Sequence, residues 1–209
     1  MKKTFLYLSK MCILCTILFC FCGAAKPNIA SVGRLLTLAT SYEQVEKTIT
    51  LLKSPTSVIF RIPCISPLYP EDLRRIPVSS YYGRRLHPLL HEYKHHSGID
   101  LPGDMGEPVH ATADGVIIET GITPTIGKFV RIRHAYGFTT LYGHLSEFEV
   151  MQGDTIRIGR MVGKVGSTGC STGPHLHYAI RKNGREQNPL PYCYLYLNWQ
   201  RMSKREGKK

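Results

Sequence analysis

The chain has 209 residues, of which 43% are hydrophobic and 20% charged, and its formal net charge is +12. That size and balance exclude a chain too small or too polar to build a core, and they fit one globular domain with appendages. The surplus of base points to anionic surroundings: a polyanionic cell wall, a membrane surface or nucleic acid.

The first residues, MKKTFLYLSKMCILCTILFCFCGAAKPN, set lysines 2, 3 and 10 ahead of an uncharged apolar stretch from Met11 to Ala25 that ends in small residues. This is the layout of a secretory signal peptide, residues 1–25, with cleavage after Ala25. The apolar run falls short of the roughly 20 residues a spanning helix needs. Lipoprotein processing at Cys20 or Cys22 is disfavoured by bulky Phe19 and Phe21 before them. Cleavage removes three lysines and no acids, lowering the charge from +12 to +9. The expected location is exported, either periplasmic or secreted and wall-associated. There an anionic envelope surface is the natural partner and nucleic acid is not. Four of the seven cysteines fall in the signal, leaving Cys64, Cys170 and Cys193. One disulfide, for example Cys64 to Cys193, is compatible with export, but sequence does not fix the pairing.

From Leu35 to Leu52, apolar residues recur at 35, 38, 42, 45, 49 and 52. The spacing predicts one amphipathic helix with a narrow apolar seam, packed on its own domain or against a partner. Prolines at 55, 63, 67, 70 and 77 then predict an extended connector, so residues 26–77 read as helix plus connector. Beyond it come short β-like runs broken by glycine: GVIIET (115–120), KFVRIRH (128–134), FTTLYGH (138–144), TIRIG (155–159), MVGKVG (161–166) and HLHYAIRKNG (175–184). Phe129, Arg131 and Arg133 alternate with Val130, Ile132 and His134, as in a strand with two unlike faces. With no long amphipathic helix evident after residue 55, the fold class is mainly β, an antiparallel sheet domain over 78–193. Residues 194–209, ending RMSKREGKK, read as a basic, solvated tail.

The run GSTGCSTGPHLH (166–177) is glycine- and hydroxyl-rich, but it is not a phosphate loop. A Walker loop needs Gly-x-x-x-x-Gly-Lys-Ser/Thr, whereas Gly173 is followed by Pro174 and His175. All nine histidines lie between His87 and His177. On a strand, His96, Gly98 and Asp100 share a face, as do His175 and His177. Two such pairs can converge on one ion, and imidazoles with a carboxylate suit zinc, with one position left for water. Histidines at 91, 95, 110 and 134 lack partners at useful spacing and read as surface or strand residues. Tyrosines 81, 82, 192, 194 and 196 read as packing residues.

HSGIDLPGDMGEPVHATADGVI, YGFTTLYGHLS and VGSTGCSTGPHLHY, in this order, resemble the lysostaphin-type (LytM-like) zinc metallopeptidases that cut peptidoglycan. YYGRRLHP and NPLPY add to the likeness, which covers about Val78 to Cys193. The resemblance implies a lysostaphin-like sheet domain and one zinc ion held by His96, Asp100 and His177. It also implies that His144 and His175 are the catalytic groups beside the metal, and that the substrate is a stem or cross-link peptide of peptidoglycan. Ala179 departs from the family, which often has glutamate there, and Cys170 sits in the loop before His175. The alternative function is a non-catalytic wall-binding regulator of other hydrolases, since the family has members that have lost ligands; the complete set here favours the enzyme.

Overall fold

The structure, a computed structural model, describes residues 29–52, 57–68, 75–86 and 92–206. The predicted signal peptide, part of the proline-rich connector, and both His87 and His91 lie outside these residues. Among the described residues no helix is long and apolar enough to cross a membrane.

The described residues form twelve strands: β1 (Gly83–Leu86), β2 (Tyr93–His96), β3 (Ile99–Pro102), β4 (Pro108–His110), β5 (Gly115–Thr123), β6 (Gly127–His134), β7 (Phe138–Leu145), β8 (Glu147–Phe148), β9 (Thr155–Ile156), β10 (Met161–Lys164), β11 (His175–Lys182) and β12 (Arg185–Gln187). The main sheet runs β12-β11-β7-β6-β5-β9, with β3 sharing the outer edge of β11, and its pairings are antiparallel. A three-stranded sheet β4-β10-β8 and a β1–β2 ribbon complete the β structure. The fold is thus mainly antiparallel β, as the glycine-punctuated runs imply. Ala135–Gly137 makes the tight β6–β7 connection, with Tyr136 and Gly137 at positive φ.

Alternation along the central strands divides the sheet into two faces. Leu176, Tyr178, Ile180 and Lys182 of β11, with Val130, Ile132 and Tyr142, are buried on one. His175, His177, Ala179 and Arg181 point to the other. Behind the first face runs a buried polar chain. His134 Nδ1–H donates to the Asp114 carbonyl at 2.8 Å and His134 Nε2 meets Thr140 Oγ1 at 2.7 Å. Thr140 Oγ1 bonds the Tyr142 hydroxyl at 3.2 Å, and Thr112 Oγ1 joins the Tyr142 and Tyr178 hydroxyls at 3.1 and 2.8 Å.

The expected single helix over 35–52 is two: α1 (Ile29–Leu38) and α2 (Tyr42–Thr50). Ser41 caps α2 by accepting from Gln44 N, while Gln44 Oε1 accepts from Thr40 N at 2.8 Å. The break turns the apolar face, so Val32 and Leu36 are buried in α1 whereas Leu38 is 57% exposed. The connector is not a bare spacer either: Val58, Ile59, Ile62 and Cys64 are buried in the same cluster as the sheet. A short helix α3 (Leu190–Cys193) closes the domain, and the predicted tail from 194 is itself helical as α4 (Leu195–Glu206), because Leu195 and Trp199 bury against the core. Trp199 Nε1 donates to the Leu52 carbonyl at 3.2 Å. Cys64, Cys170 and Cys193 are free thiols, the first and last buried, so the Cys64–Cys193 bridge is not formed.

Lys182 is 1% exposed. Its ammonium donates to the Tyr136 carbonyl at 2.6 Å and the Thr37 carbonyl at 3.1 Å, and it sits 5.2 Å from the centre of the Phe138 ring. A buried cation needs such partners. They tie the last turn of α1 to the sheet on the face away from His177.

Candidate metal centre and active-site groove

His177 lies in a row across three strands, between Asp100 of β3 and Gly143 of β7. Cross-strand register therefore sets the carboxylate beside the imidazole. His96 ends β2, and a Ser97-Gly98 corner returns the chain to Asp100 on β3. The expectation of one continuous strand over 96–100 is corrected to two strands and a corner, yet the two side chains still meet. The corner needs glycine. A Cβ at Gly98 would stand 2.4 Å from the Tyr178 carbonyl oxygen and 2.9 Å from His177 Cε1.

Three atoms form a triangle: His96 Nε2 to His177 Nδ1 is 3.1 Å, His96 Nε2 to Asp100 Oδ1 is 3.1 Å, and His177 Nδ1 to Asp100 Oδ1 is 2.9 Å. All three residues are buried, and together they form a group able to hold a metal ion. The donor set fits zinc on physical grounds. His96 Nδ1–H is committed to the Tyr81 carbonyl at 3.0 Å, so in the neutral ring Nε2 is the atom that carries the lone pair. With His96 neutral, at most one proton lies inside the triangle and at least two lone pairs face each other, a repulsion that a cation between them relieves. Zinc bonds of about 2.0–2.1 Å give a tetrahedral edge of about 3.3 Å, close to the sides seen. His177 Nε2, on the far side of its ring, is buried without a hydrogen-bond partner.

Burial works to raise the Asp100 carboxyl, but hydrogen bonds with His177 and His96 and their charge outweigh it and hold it well below the ordinary carboxylate range. Burial lowers the His177 imidazole, with Asp100 opposing. Both shifts favour the ligand forms: ionised carboxylate and neutral imidazole.

His144 and His175 stand beside the triangle, with ring centroids 4.7 Å apart. His144 Nδ1–H donates to the Thr168 carbonyl and His175 Nδ1–H to the Gly173 carbonyl, each at 2.8 Å. In the neutral tautomer this leaves Nε2 of each ring as the acceptor; that of His175 lies 3.9 Å from Asp100 Oδ1. Burial, first of all, drops the His144 imidazole to about 4, against a small lift from the Thr168 carbonyl, so it is neutral at pH 7. Its backbone is left-handed, φ +59°, which is strained for a residue with a Cβ and common where function fixes a side chain.

The five residues open into a groove of about 600 Å³. The sequence missed three contributors. Arg85 and Lys94 line the groove from the β1–β2 ribbon, and Arg85 NH2 reaches Asp100 Oδ2 at 3.4 Å. Thr168 supplies the carbonyl that orients His144. Arg85 falls within YYGRRLHP and Thr168 within VGSTGCSTGPHLHY, but nothing in either run singles them out, and Lys94 lies outside any motif; only the fold brings them to the site. His95, read as a surface residue, lines the groove and pairs with Glu186 at 3.0 Å, while His134 belongs to the buried chain behind the sheet. Cys170 also lines the groove.

An antiparallel sheet bearing a two-histidine, one-aspartate cluster with two further imidazoles over it defines the class of a metal-dependent hydrolase domain. Residues 94–189 match the sequence profile of peptidase family M23. The chain is 31% identical to the catalytic domain of the antimicrobial peptidase lysostaphin from Staphylococcus simulans, with a TM-score of 0.52, over 58% of this chain and 94% of that one. It is 30% identical to a zinc-containing peptidase from Vibrio cholerae, with a TM-score of 0.54, over 61% of this chain and 39% of that one. It is 52% identical over 120 residues to the DD-carboxypeptidase/endopeptidase Mpg of Neisseria meningitidis serogroup B, covering 57% of this chain and 28% of that protein. The chain thus spans under a third of the length of that curated relative. It belongs to peptidase family M23.

Proposed function

We propose that the chain is an exported, zinc-dependent endopeptidase that hydrolyses stem or cross-link peptides of peptidoglycan, with His96, Asp100 and His177 as ligands and His144 and His175 as catalytic groups. The observation that carries this reading is the triangle of ligand atoms lying beside two imidazoles whose Nδ1 atoms are both held by backbone carbonyls, which turns their Nε2 atoms free of backbone partners. When bound, zinc supplies a Lewis acid that polarises the scissile carbonyl and lowers the pKa of water.

The side chains do the rest. Asp100 and the two ligand imidazoles contribute one negative charge, so the site retains positive charge for a developing oxyanion. An Nε2 of His144 or His175 accepts the proton of the attacking water as its oxygen bonds to the carbonyl carbon. The imidazolium so formed is supported by its backbone carbonyl, Thr168 O or Gly173 O. It then donates that proton to the amide nitrogen as the C–N bond breaks, leaving a carboxylic acid and an amine. The name of the Neisseria relative supports a bond following a D-residue as the target. The basic charge of the chain supports residence in an anionic envelope.

The test is release of new peptide ends from purified cell-wall sacculi, with and without a chelator. Chelator-sensitive release is expected, restored by zinc; release that ignores the chelator, or none at all, refutes the proposal.

A further inference from the structure

The groove is charged on one side only. The β1–β2 ribbon contributes Arg85, Lys94 and His95, while the facing wall around Thr125 and Cys170 carries no charge. His95 is already paired with Glu186, and the ion pair of Lys94, to Glu92, is loose at 3.9 Å. Arg85 is less satisfied still. Among the described residues its polar contact is the 3.4 Å approach to Asp100 Oδ2, and its Nε is buried with no partner. Among the described residues lining the groove, Asp100 is the one carboxylate, and its Oδ1 faces the two ligand imidazoles. A divalent cation in that triangle leaves one aspartate against a dication and an arginine. Such a surplus, with the Arg85 Nε–H unpaired, favours an anion, and a planar guanidinium is shaped to take a carboxylate on two parallel hydrogen bonds.

We infer that Arg85, assisted by Lys94, binds a free carboxylate on the substrate residue that supplies the scissile amide nitrogen. Arg85 touches a ligand of the metal, so the group it holds lies within about one residue of the bond being cut. Within an ordinary peptide the α-carboxyl at that position is itself an amide and brings no charge. It is free where the acceptor residue ends a chain, or where the acceptor amine belongs to a diamino acid whose own α-carboxyl is unsubstituted. The chemistry thus selects carboxylate-bearing cross-links and stem termini over neutral glycine bridges. This rests on the reading of the site as a peptidase.

The test uses the zinc-loaded full chain and two synthetic cross-linked peptides that differ at one point: the acceptor α-carboxyl is free in one and a carboxamide in the other. Wild type is expected to favour the free acid by about 10- to 100-fold in kcat/KM, the range of a charge-assisted hydrogen bond. Arg85→Met, at equal zinc content, is expected to shrink the gap to about threefold or less, with Arg85→Lys in between. Calorimetry on the zinc-stripped chain supplies a reading independent of turnover: tighter binding of the free acid, lost in Arg85→Met. Equal cleavage of both peptides by wild type overturns the inference, as does an Arg85→Met that slows both in proportion, which would make Arg85 a support for Asp100 alone. If Arg85→Met does not fold, the wild-type comparison decides. Selective binding without cleavage would instead sink the peptidase reading and leave the anion site standing.

Discussion

Replacing Thr112 by valine probes how the buried hydroxyl chain holds the catalytic strands. Thr112, Tyr142 and Tyr178 are all fully buried. Tyr142 precedes Gly143 and His144, and Tyr178 follows His177, so the hydroxyls brace the strands that present the site. The substitution keeps shape and volume but removes Oγ1. Tyr142 then retains the Thr112 N–H at 3.0 Å and Thr140, whereas the Tyr178 hydroxyl loses its hydrogen bond to Thr112 and has no other among the described residues. Leaving that hydroxyl unsatisfied costs about 1–3 kcal/mol, and the weakened Tyr142 bond adds a fraction of that. The expected loss is about 2 kcal/mol, or roughly 1 M in urea midpoint for a slope of about 2 kcal/mol/M. Trp199, the chain's single tryptophan and a buried one, reports unfolding by fluorescence. Tyr178→Phe alone is expected to cost about 1 kcal/mol. In the double variant no orphan remains, so its loss should fall short of the sum by about 1–2 kcal/mol. Single losses that simply add within about 0.3 kcal/mol would refute the account.

Gly98→Ala puts a methyl group into the Tyr178 carbonyl and the His177 ring; zinc affinity measured against a competing chelator dye is expected to fall by about tenfold or more. His177→Ala is expected to lose zinc and turnover together, and His144→Ala to keep zinc by elemental analysis while losing turnover; the reverse pattern would invert the assigned roles. His134, pushed down to about 4 by burial, stays neutral in the fold but titrates near 6.5 when unfolded. The unfolded chain therefore binds the extra proton first, so the contribution is complete above pH 6.5 and is lost as the pH falls towards 4, about 3 kcal/mol in all. His134→Gln should be less sensitive to acid than wild type by that amount in urea titrations at pH 7 and pH 4.

The strand pattern was legible from local rules, glycine punctuation and alternation, and His175 and His177 were joined by sharing a strand face; His96 and Asp100 were joined by the same rule although a corner separates them, and His144 was named only through the family resemblance. What stayed hidden depends on long-range contact. The seam at 35–52 keeps its three-and-four rhythm across the helix break, and the Ser41-x-x-Gln44 cap was the available signal against a single helix. The C-terminal residues read as a basic tail because the charges of α4 obscure Leu195 and Trp199, whose burial is decided by Leu52 and the connector. Arg85 is separated from Asp100 by fifteen positions, and no spacing rule joins them. The left-handed backbone of His144 is likewise imposed from outside, between the Ile126 carbonyl that its N–H bonds and the Thr168 carbonyl that its ring bonds.

The ammonium of Lys182 gives the amino-terminal helices a role that their position alone would not reveal. Cutting the chain back to Val78 would delete the Thr37 carbonyl and strand a cation against aromatic rings, with Phe138 and Tyr192 newly wetted. The helix pair is a buttress to the sheet's rear wall and not a shutter over its front. A shortened fragment would need Lys182 changed to an apolar residue before its behaviour said anything about gating.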